Sequence, residues 1–214
     1  MTAELGDRPT TYPSPVVATR RLGTETSETR IALLDATEQL MLDSGYAAVS
    51  SRRVAAVAGV RPALVHYYFR TMDDLFLAVF SRRAEQALAH QQRALHSAQP
   101  LWALWEVSRD PRGTVLTMEF AALANHRPTI RAEITAAAER IRAQQVDVLV
   151  DVLARHGVTV DDCPPIVAAV LIAGISVLLA LEQGSLGMST GHTETITYVE
   201  SFLRRLEGER LVAS

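Results

Sequence analysis

Apolar residues recur every three to four positions through most of the chain, which is the spacing of one face of an α-helix. Thr26 or Ser27 is placed to cap the first such segment, and Gly45 to end it. The apolar positions of this segment are Ile31, Leu34, Leu40 and Met41. No segment alternates clearly between apolar and polar residues, so the sequence predicts an all-α protein.

Two short helices separated by a tight turn are predicted next. Ser50 or Ser51 can cap a helix that closes at Gly59, and Pro62 suits the first turn of the following helix, where its missing N–H is not needed. A turn of about three or four residues containing glycine is typical of a helix-turn-helix. The side chains expected to form its core are Val54, Val57, Val60, Leu64, Val65 and Phe69.

Longer helices fill the rest of the chain. Thr71 and Asp74 form a capping box, so a fourth helix begins near Met72 and runs toward Leu95. Prolines and glycines then separate further helices, expected at 101–108, 113–126, 128–156, 164–186 and 193–208. The predicted organisation is an arm (1–24), a three-helix helix-turn-helix domain (25–72) and a larger helical domain (73–214).

The uncharged run "CPPIVAAVLIAGISVLLAL", residues 163–181, is long enough to be a candidate membrane span. It opens with two prolines, acidic residues flank it, and no arginine lies nearby to set an orientation. We therefore predict a helix buried on nearly all sides, with a second subunit supplying part of the cover. Ala169, Ala173 and Ala180 are expected to allow a partner helix to approach closely.

Composition adds little about function. The formal net charge is -3, and the single cysteine, Cys163, excludes an internal disulfide framework and suits a reducing, cytoplasmic setting. Residues 1–24 lack the pattern of a signal peptide. They are expected to form a disordered arm, either a solvated tail or a basic arm that touches a polyanion through Arg20 and Arg21.

The charge distribution is more informative than the net charge. No Asp or Glu occurs from Ser44 to Met72, although this segment contains Arg52, Arg53, Arg61, Arg70 and His66. A positive segment within an acidic protein is typical of a local surface that binds a polyanion.

The helix beginning at Pro62 has the composition of a DNA recognition helix. Arg61 can form a bidentate contact with guanine, and Pro62 and Ala63 offer apolar surface to a thymine methyl group. Phosphate contacts are expected from the start of the second helix and from the end of the third. The residues concerned are Ser50, Ser51, Arg52, His66, Tyr67, Tyr68 and Arg70. The alternative for Tyr68 is a core position, and Arg53 and Arg70 can be simply solvated.

Residues 44–76, "SGYAAVSSRRVAAVAGVRPALVHYYFRTMDDLF", resemble the DNA-binding region of TetR-family transcriptional regulators. The shared features are Gly45-Tyr46, then Ser50 followed by Val54-Ala55, the Ala58–Val60 run, the aromatic end His66–Phe69, and Asp73-Asp74-Leu75. The chain departs from the family's commoner pattern at Arg61, Pro62 and Ala63, at Tyr68 and at Met72. We expect the first two departures, Arg61 and Pro62, to set its own operator preference.

The resemblance implies a homodimer formed through the helices near 164–186 and 193–208, a palindromic operator, and repression as the usual mode of action. It also implies an effector pocket in the second domain. The residues predicted to line the pocket are Trp102, Trp105, Met118, Phe120, Leu123, His126, Ile172, Ser176 and Leu179, and Glu119 and Asn125 are further polar candidates. Each of the apolar residues can equally be core. Such a lining favours a hydrophobic or aromatic effector.

Two other classes of function remain to be considered. The sequence contains none of the phosphate-binding, nucleophile-elbow or zinc-protease motifs that would indicate an enzyme, and it predicts no cofactor and no metal site. A helical protein-interaction module that has lost DNA binding is the alternative to a regulator. The acid-free segment argues against that alternative.

Overall fold

The structure, a computed structural model, describes residues 27–211, so the predicted arm at 1–24 lies outside the described residues. Within that range the chain is all helical and contains no strand. The helices are α1 (Glu28–Ser44), α2 (Ser51–Val57), α3 (Pro62–Tyr68), α4 (Met72–Leu95), α5 (Pro100–Ser108), α6 (Pro111–Ala124), α7 (Pro128–Arg155), α8 (Pro165–Leu181) and α9 (His192–Glu207). A 3-10 turn (Tyr46–Ala48) follows α1 and a π-helical turn (Glu182–Leu186) follows α8.

The predicted capping residues begin the helices of the N-terminal region. The Ser27 hydroxyl accepts the N–H of Arg30 at 3.2 Å, and the Ser50 side chain accepts the N–H of Arg53 at 3.4 Å. At α4 the Thr71 hydroxyl accepts the N–H of Asp74, and the Asp74 carboxylate accepts the N–H of Thr71. These bonds satisfy amide groups that have no partner within the helix, and they confirm the predicted starts of α1, α2 and α4.

A first hydrophobic core joins α1–α4 to α6 and α7. Its buried members are Leu33, Leu34, Ala36, Leu40, Met41, Val54, Ala55, Val65, Phe69, Leu75, Phe76, Val79, Leu116, Phe120, Leu123 and Ile130. The last four come from α6 and α7, so the core extends across the predicted boundary at residue 72 and continues into the second domain.

Two apolar residues of the N-terminal helices are exposed, and one of them, Val57, was predicted to be core. Ile31 is 43% exposed and Val57 is 52% exposed. Because α2 has only two turns, it buries Val54 and Ala55 and leaves Val57 beyond the edge of the buried face. Val60 and Leu64 are half-buried, whereas the core positions of Val65 and Phe69 are confirmed.

A second core holds the end of α4 together with α5, α7, α8 and α9. Its buried residues are Leu95, Leu101, Trp102, Leu104, Trp105, Leu149, Val152, Leu153, Ala169 and Leu203. The Glu207 carboxylate at the end of α9 accepts the N–H groups of Leu101 and Trp102, each at 3.0 Å. Glu207 therefore caps α5 from a distant part of the chain, and it fixes α9 against α5.

A single protomer leaves most of α8 uncovered, so the predicted burial on nearly all sides depends on the second subunit that the prediction included. Only Pro165, Ala169 and Ser176 of α8 are buried. The large apolar residues of α8 that remain exposed are Ile166, Val167, Val170, Leu171, Val177 and Leu178. Ala169 packs in the second core and so is not available to a partner helix. By length and composition alone Pro165–Gly184, with a mean hydropathy of 2.3, matches a membrane span, the one such segment in residues 27–211.

Candidate nucleic-acid interface and ligand cavity

The turn between α2 and α3 is closed by backbone hydrogen bonds around Gly59. The N–H of Val60 donates to the C=O of Ala55 at 2.9 Å, and the N–H of Gly59 donates to the C=O of Ala56 at 3.3 Å. Gly59 has φ +67°, a conformation that residues with a Cβ rarely adopt. The glycine therefore ends α2 sharply and sets the start of α3 at a fixed place beside it.

The N-terminal end of α3 is open to solvent. Arg61 occupies the N-cap position, Pro62 is the first helical residue, and Arg61, Pro62, Ala63 and His66 are all exposed. Val65 and Phe69 face the core from the opposite side of this helix. This arrangement exposes four of the six predicted contact residues at α3, and three of them, Arg61, Pro62 and Ala63, lie at the helix end that a recognition helix directs at base edges.

The other predicted phosphate contacts lie on α2 and at the end of α3. Ser50, Arg52 and Arg70 are exposed, and Ser51 is half-buried at the start of α2. Arg53 is also exposed, but its guanidinium donates to the C=O of Ala48 at 3.0 Å and to the Ser44 hydroxyl at 3.3 Å. Arg53 thus braces the chain between α1 and α2.

The aromatic residues at the end of α3 differ in how far they are buried. Phe69 is 4% exposed and lies in the first core, with the Arg30 guanidinium 5.4 Å from the centre of its ring. Tyr67 and Tyr68 are half-buried, and their rings pack edge to face at 5.1 Å. The two tyrosines support each other at the margin of the exposed face, where one end of each ring can remain in water.

Two polar contacts hold α6 and the start of α7 against the N-terminal helices. The Glu119 carboxylate of α6 accepts the N–H of Tyr46 at 2.6 Å, just after α1. Arg127, the N-cap residue of α7, forms an ion pair with Asp73, and its guanidinium lies 5.9 Å from the centre of the Phe76 ring. The sequence placed Glu119 among the candidate ligand contacts. It did not predict the hydrogen bond between Glu119 and Tyr46, because these residues lie 73 positions apart.

A cavity of about 560 Å³ lies among α4, α5, α6, α7 and α8. This volume is within the range of small-molecule sites in proteins. Aliphatic residues and two phenylalanines, Phe80 and Phe120, form most of the wall, and Gln91, Gln145, Thr114 and Ser108 are among its polar members. No group of three or more residues suited to hold a metal ion occurs in the described part of the chain.

The lining of this cavity differs from the predicted set, of which it contains Phe120 alone. Trp102 and Trp105 are buried in the second core, with Ile172 packed against it, and Leu123 is buried in the first. Ser176 is buried behind the wall, where its hydroxyl bonds to that of Ser108 at 2.8 Å. Met118 and Leu179 are half-buried outside the lining, and His126 and Asn125 are exposed.

Comparison with known proteins gives a consistent result. Residues 33–79 match the family of bacterial regulatory proteins described as the tetR family. The chain is 27% identical over 186 residues to the HTH-type transcriptional regulator BetI of Rhizobium meliloti, and this match covers 82% of the chain and 89% of the relative.

Solved structures share the fold. A TetR-family transcriptional regulator from Rhodococcus superposes with a TM-score of 0.68 at 19% identity, over 85% of this chain and 100% of that one. A transcriptional regulator from Saccharomonospora viridis, solved in complex with choline, superposes with a TM-score of 0.67 at 22% identity, over 83% and 96% of the two chains. Both likenesses extend through the second core as well as the first.

Proposed function

This chain belongs to the TetR family of bacterial regulatory proteins, and from that premise we propose that it is a homodimeric repressor, released from a palindromic operator by a small apolar effector. As a family member it is a DNA-binding transcriptional regulator. The observation that carries the finer proposal is the exposed, acid-free surface at the start of α3. In this proposal residues 25–72 bind DNA, and residues 73–214 bind the effector and form the dimer.

The DNA contacts are proposed from the exposure and chemistry of the α2–α3 face. Arg61 extends from the N-terminal end of α3, where a guanidinium can bond to O6 and N7 of a guanine. Pro62 and Ala63 bring the helix close enough for apolar contact with a thymine methyl group. The proposed phosphate contacts are Ser50, Ser51, Arg52, His66, Tyr67, Tyr68 and Arg70.

The dimer is proposed from the apolar surface that a single protomer leaves uncovered. Val170, Leu171 and Leu178 of α8 are each at least 50% exposed, and Tyr198 and Phe202 of α9 are 71% and 40% exposed. Exposed apolar residues on two neighbouring helices are typical of a subunit interface. A two-fold axis through this surface would present two copies of α3 to DNA, and two such copies read half-sites one helical turn apart, about 34 Å.

Release by an effector is proposed from the position of α6. Its first two turns contribute Gly113, Thr114, Leu116 and Thr117 to the cavity wall, and Phe120 lies in both the wall and the first core. Glu119, on the same helix, holds the turn after α1. A ligand that shifts α6 would therefore move groups that position the N-terminal helices, and so it would favour one arrangement of the two α3 helices over another.

The test begins with sheared genomic DNA from the organism that encodes the protein. Fragments retained by the purified protein are sequenced, and the binding of one recovered fragment is then measured by fluorescence anisotropy. We expect a palindromic site, and we expect Arg61→Ala to weaken its binding by about 1–3 kcal/mol and to relax the preference at one base pair.

Arg140→Ala is the matched control, because Arg140 is exposed on α7, far along the chain from the α2–α3 face. It should bind like the wild type. Unchanged affinity in Arg61→Ala would refute the base contact. Failure of the wild type to retain any fragment would favour the alternative, a helical protein-interaction module without DNA binding.

A further inference from the structure

The proposed function does not define the chemistry of the ligand that the cavity among α4–α8 would bind. We infer that it takes an uncharged ligand with an apolar body and one hydrogen-bonding head group, held by the side chains of Gln91 and Gln145. The inference rests on the proposed function, because it assumes that this cavity is the effector site.

The apolar body of the ligand follows from the deepest part of the wall. Leu104, Leu116, Phe120 and Ala137 line the cavity, and each is no more than 3% exposed. These residues come from α5, α6 and α7, so apolar surface surrounds the interior from several directions. Burial of aliphatic groups against this surface supplies the main favourable free energy of binding.

The absence of ligand charge is inferred from two charged residues of the wall, Asp110 and Arg83, that already have partners; the third titratable residue of the wall, His90, is exposed. Both carboxylate oxygens of Asp110 accept N–H groups at the start of α6, from Arg112 at 3.2 Å and from Gly113 at 3.0 Å. The Arg83 guanidinium lies 3.8 Å from the Glu38 carboxylate. A charged ligand would lose hydration on entering an apolar cavity, and these two groups already have partners within the protein.

The wall is also poorly suited to a quaternary ammonium ion. Such cations are held over the faces of several aromatic rings. Among the described lining residues only Phe80 and Phe120 have phenyl rings, and they pack edge to face on each other at 5.3 Å; the one imidazole in the lining, that of His90, is exposed. This cavity therefore differs in ligand chemistry from a site for choline, the ligand bound to the Saccharomonospora viridis structure.

The head group is assigned from a pair of carboxamides. Gln91 is 5% exposed, its Nε2 donates to the C=O of Ile141 at 3.1 Å, and its Oε1 accepts Nε2 of Gln145 at 2.8 Å. Each amide has two donor hydrogens and two acceptor lone pairs, so these bonds leave donor and acceptor capacity on both residues. Gln91 holds Gln145 in place, and together they can bond an amide, an alcohol or an ester.

The test uses three probes with the same eight-carbon chain and different head groups: octanamide, octanoate and octyltrimethylammonium. Each is titrated into the full-length protein by isothermal calorimetry, without DNA. We expect octanamide to bind at least tenfold more tightly than either ion. Equal or tighter binding of an ion, or no binding of octanamide, would overturn the inference.

Gln145→Met removes the amide while keeping the length of the side chain. We expect it to weaken octanamide about tenfold, the loss of roughly one hydrogen bond. The matched control is Gln39→Met, because Gln39 lies on α1, outside the cavity wall, and its amide bonds to Asp43 in the same helix. If Gln145→Met and Gln39→Met bind octanamide equally, the assigned head-group contact is wrong.

A second variant, Gln145→Glu, guards against loss of binding by misfolding. Because it adds a carboxylate to the wall, it should reverse the preference and bind octyltrimethylammonium more tightly than octanamide. An unchanged order of affinities would count against the inference. Operator binding is measured separately on unliganded protein, so failure to bind DNA refutes the proposed repressor, whereas the order of probe affinities tests the cavity alone.

Discussion

Glu119→Ala removes the carboxylate that joins α6 to the turn after α1. In the native protein its Oε2 lies 2.6 Å from the amide nitrogen of Tyr46. A hydrogen bond to a charged acceptor contributes about 1.5–3 kcal/mol to stability. Because Glu119 is only half-buried, solvent screening places its contribution near the lower limit, about 1.5 kcal/mol. In a chain of this length each kcal/mol lowers Tm by about 2–4 °C, so we expect a fall of about 3–6 °C.

Thermal unfolding followed by circular dichroism, at one protein concentration, measures this change. Glu119→Gln keeps a neutral acceptor and should give an intermediate Tm. Glu133→Ala is the control, because Glu133 is exposed on α7. Surface substitutions generally change stability by no more than about 0.5 kcal/mol, so it should shift Tm by no more than about 2 °C. Hydrogen exchange at the Tyr46 amide should also become faster in Glu119→Ala. A Tm equal to that of Glu133→Ala, with unchanged exchange at Tyr46, would refute the idea that this bond fixes the N-terminal helices to α6.

Three other substitutions test other parts of the structure. Leu171→Glu places a charge on the 54% exposed apolar surface of α8 and should yield monomers in light scattering after size exclusion, whereas Ile31→Glu, 43% exposed on α1, should not. Glu207→Ala removes the acceptor for two N–H groups at the start of α5 and should lower the free energy of unfolding by about 2 kcal/mol, measured by urea denaturation. Hydrogen bonds from the Thr159 hydroxyl, and then from its N–H, hold the pKa of Asp162 below its usual value. The stabilisation of the folded state by these bonds is present above the ordinary carboxyl pKa and is lost as pH falls. Thr159→Val should therefore raise the pKa of Asp162 in an NMR titration.

The starts of the helices could be predicted because the interactions that set them are local. Ser27, Ser50 and Thr71 each bond to an N–H three residues farther along, so the capping residue and its target fall within one short stretch of sequence. The exposed end of α3 was predictable for a similar reason. Ala63 and His66 lie three residues apart and share a face of α3 on which the buried Val65 does not lie, and Arg61 precedes the helix as its N-cap.

The ligand cavity was not predictable, because its wall depends on how five helices cross. The spacing of Trp102 and Trp105 fits a cavity wall and a core equally well. The packing of α5 against α4, α8 and α9 places both residues in the core. Gln91 and Gln145 lie 54 positions apart, and only the packing of α4 against α7 brings their amides to 2.8 Å. Helix crossing depends on the shapes of many side chains at once, which a local pattern does not contain.

The composition of α8 indicated a buried helix, and its uncharged length favoured a second subunit as part of the cover. One protomer covers only Pro165, Ala169 and Ser176. The predicted second subunit would supply the remaining cover, but the hydrophobic pattern of one chain does not specify which residues of a second copy would contact α8.

The core that runs from α1 into α6 and α7 limits how this protein can be recombined with others. Leu116, Phe120, Leu123 and Ile130 complete the packing of the DNA-binding helices, although they lie well beyond residue 95, where α4 ends. A chimera that carried only residues 27–95 into another regulator would leave that packing open on one side. A chimera that keeps the DNA specificity of this protein would need α6 and the first turn of α7 as well. The junction between the two parent proteins must therefore lie within the effector-binding domain.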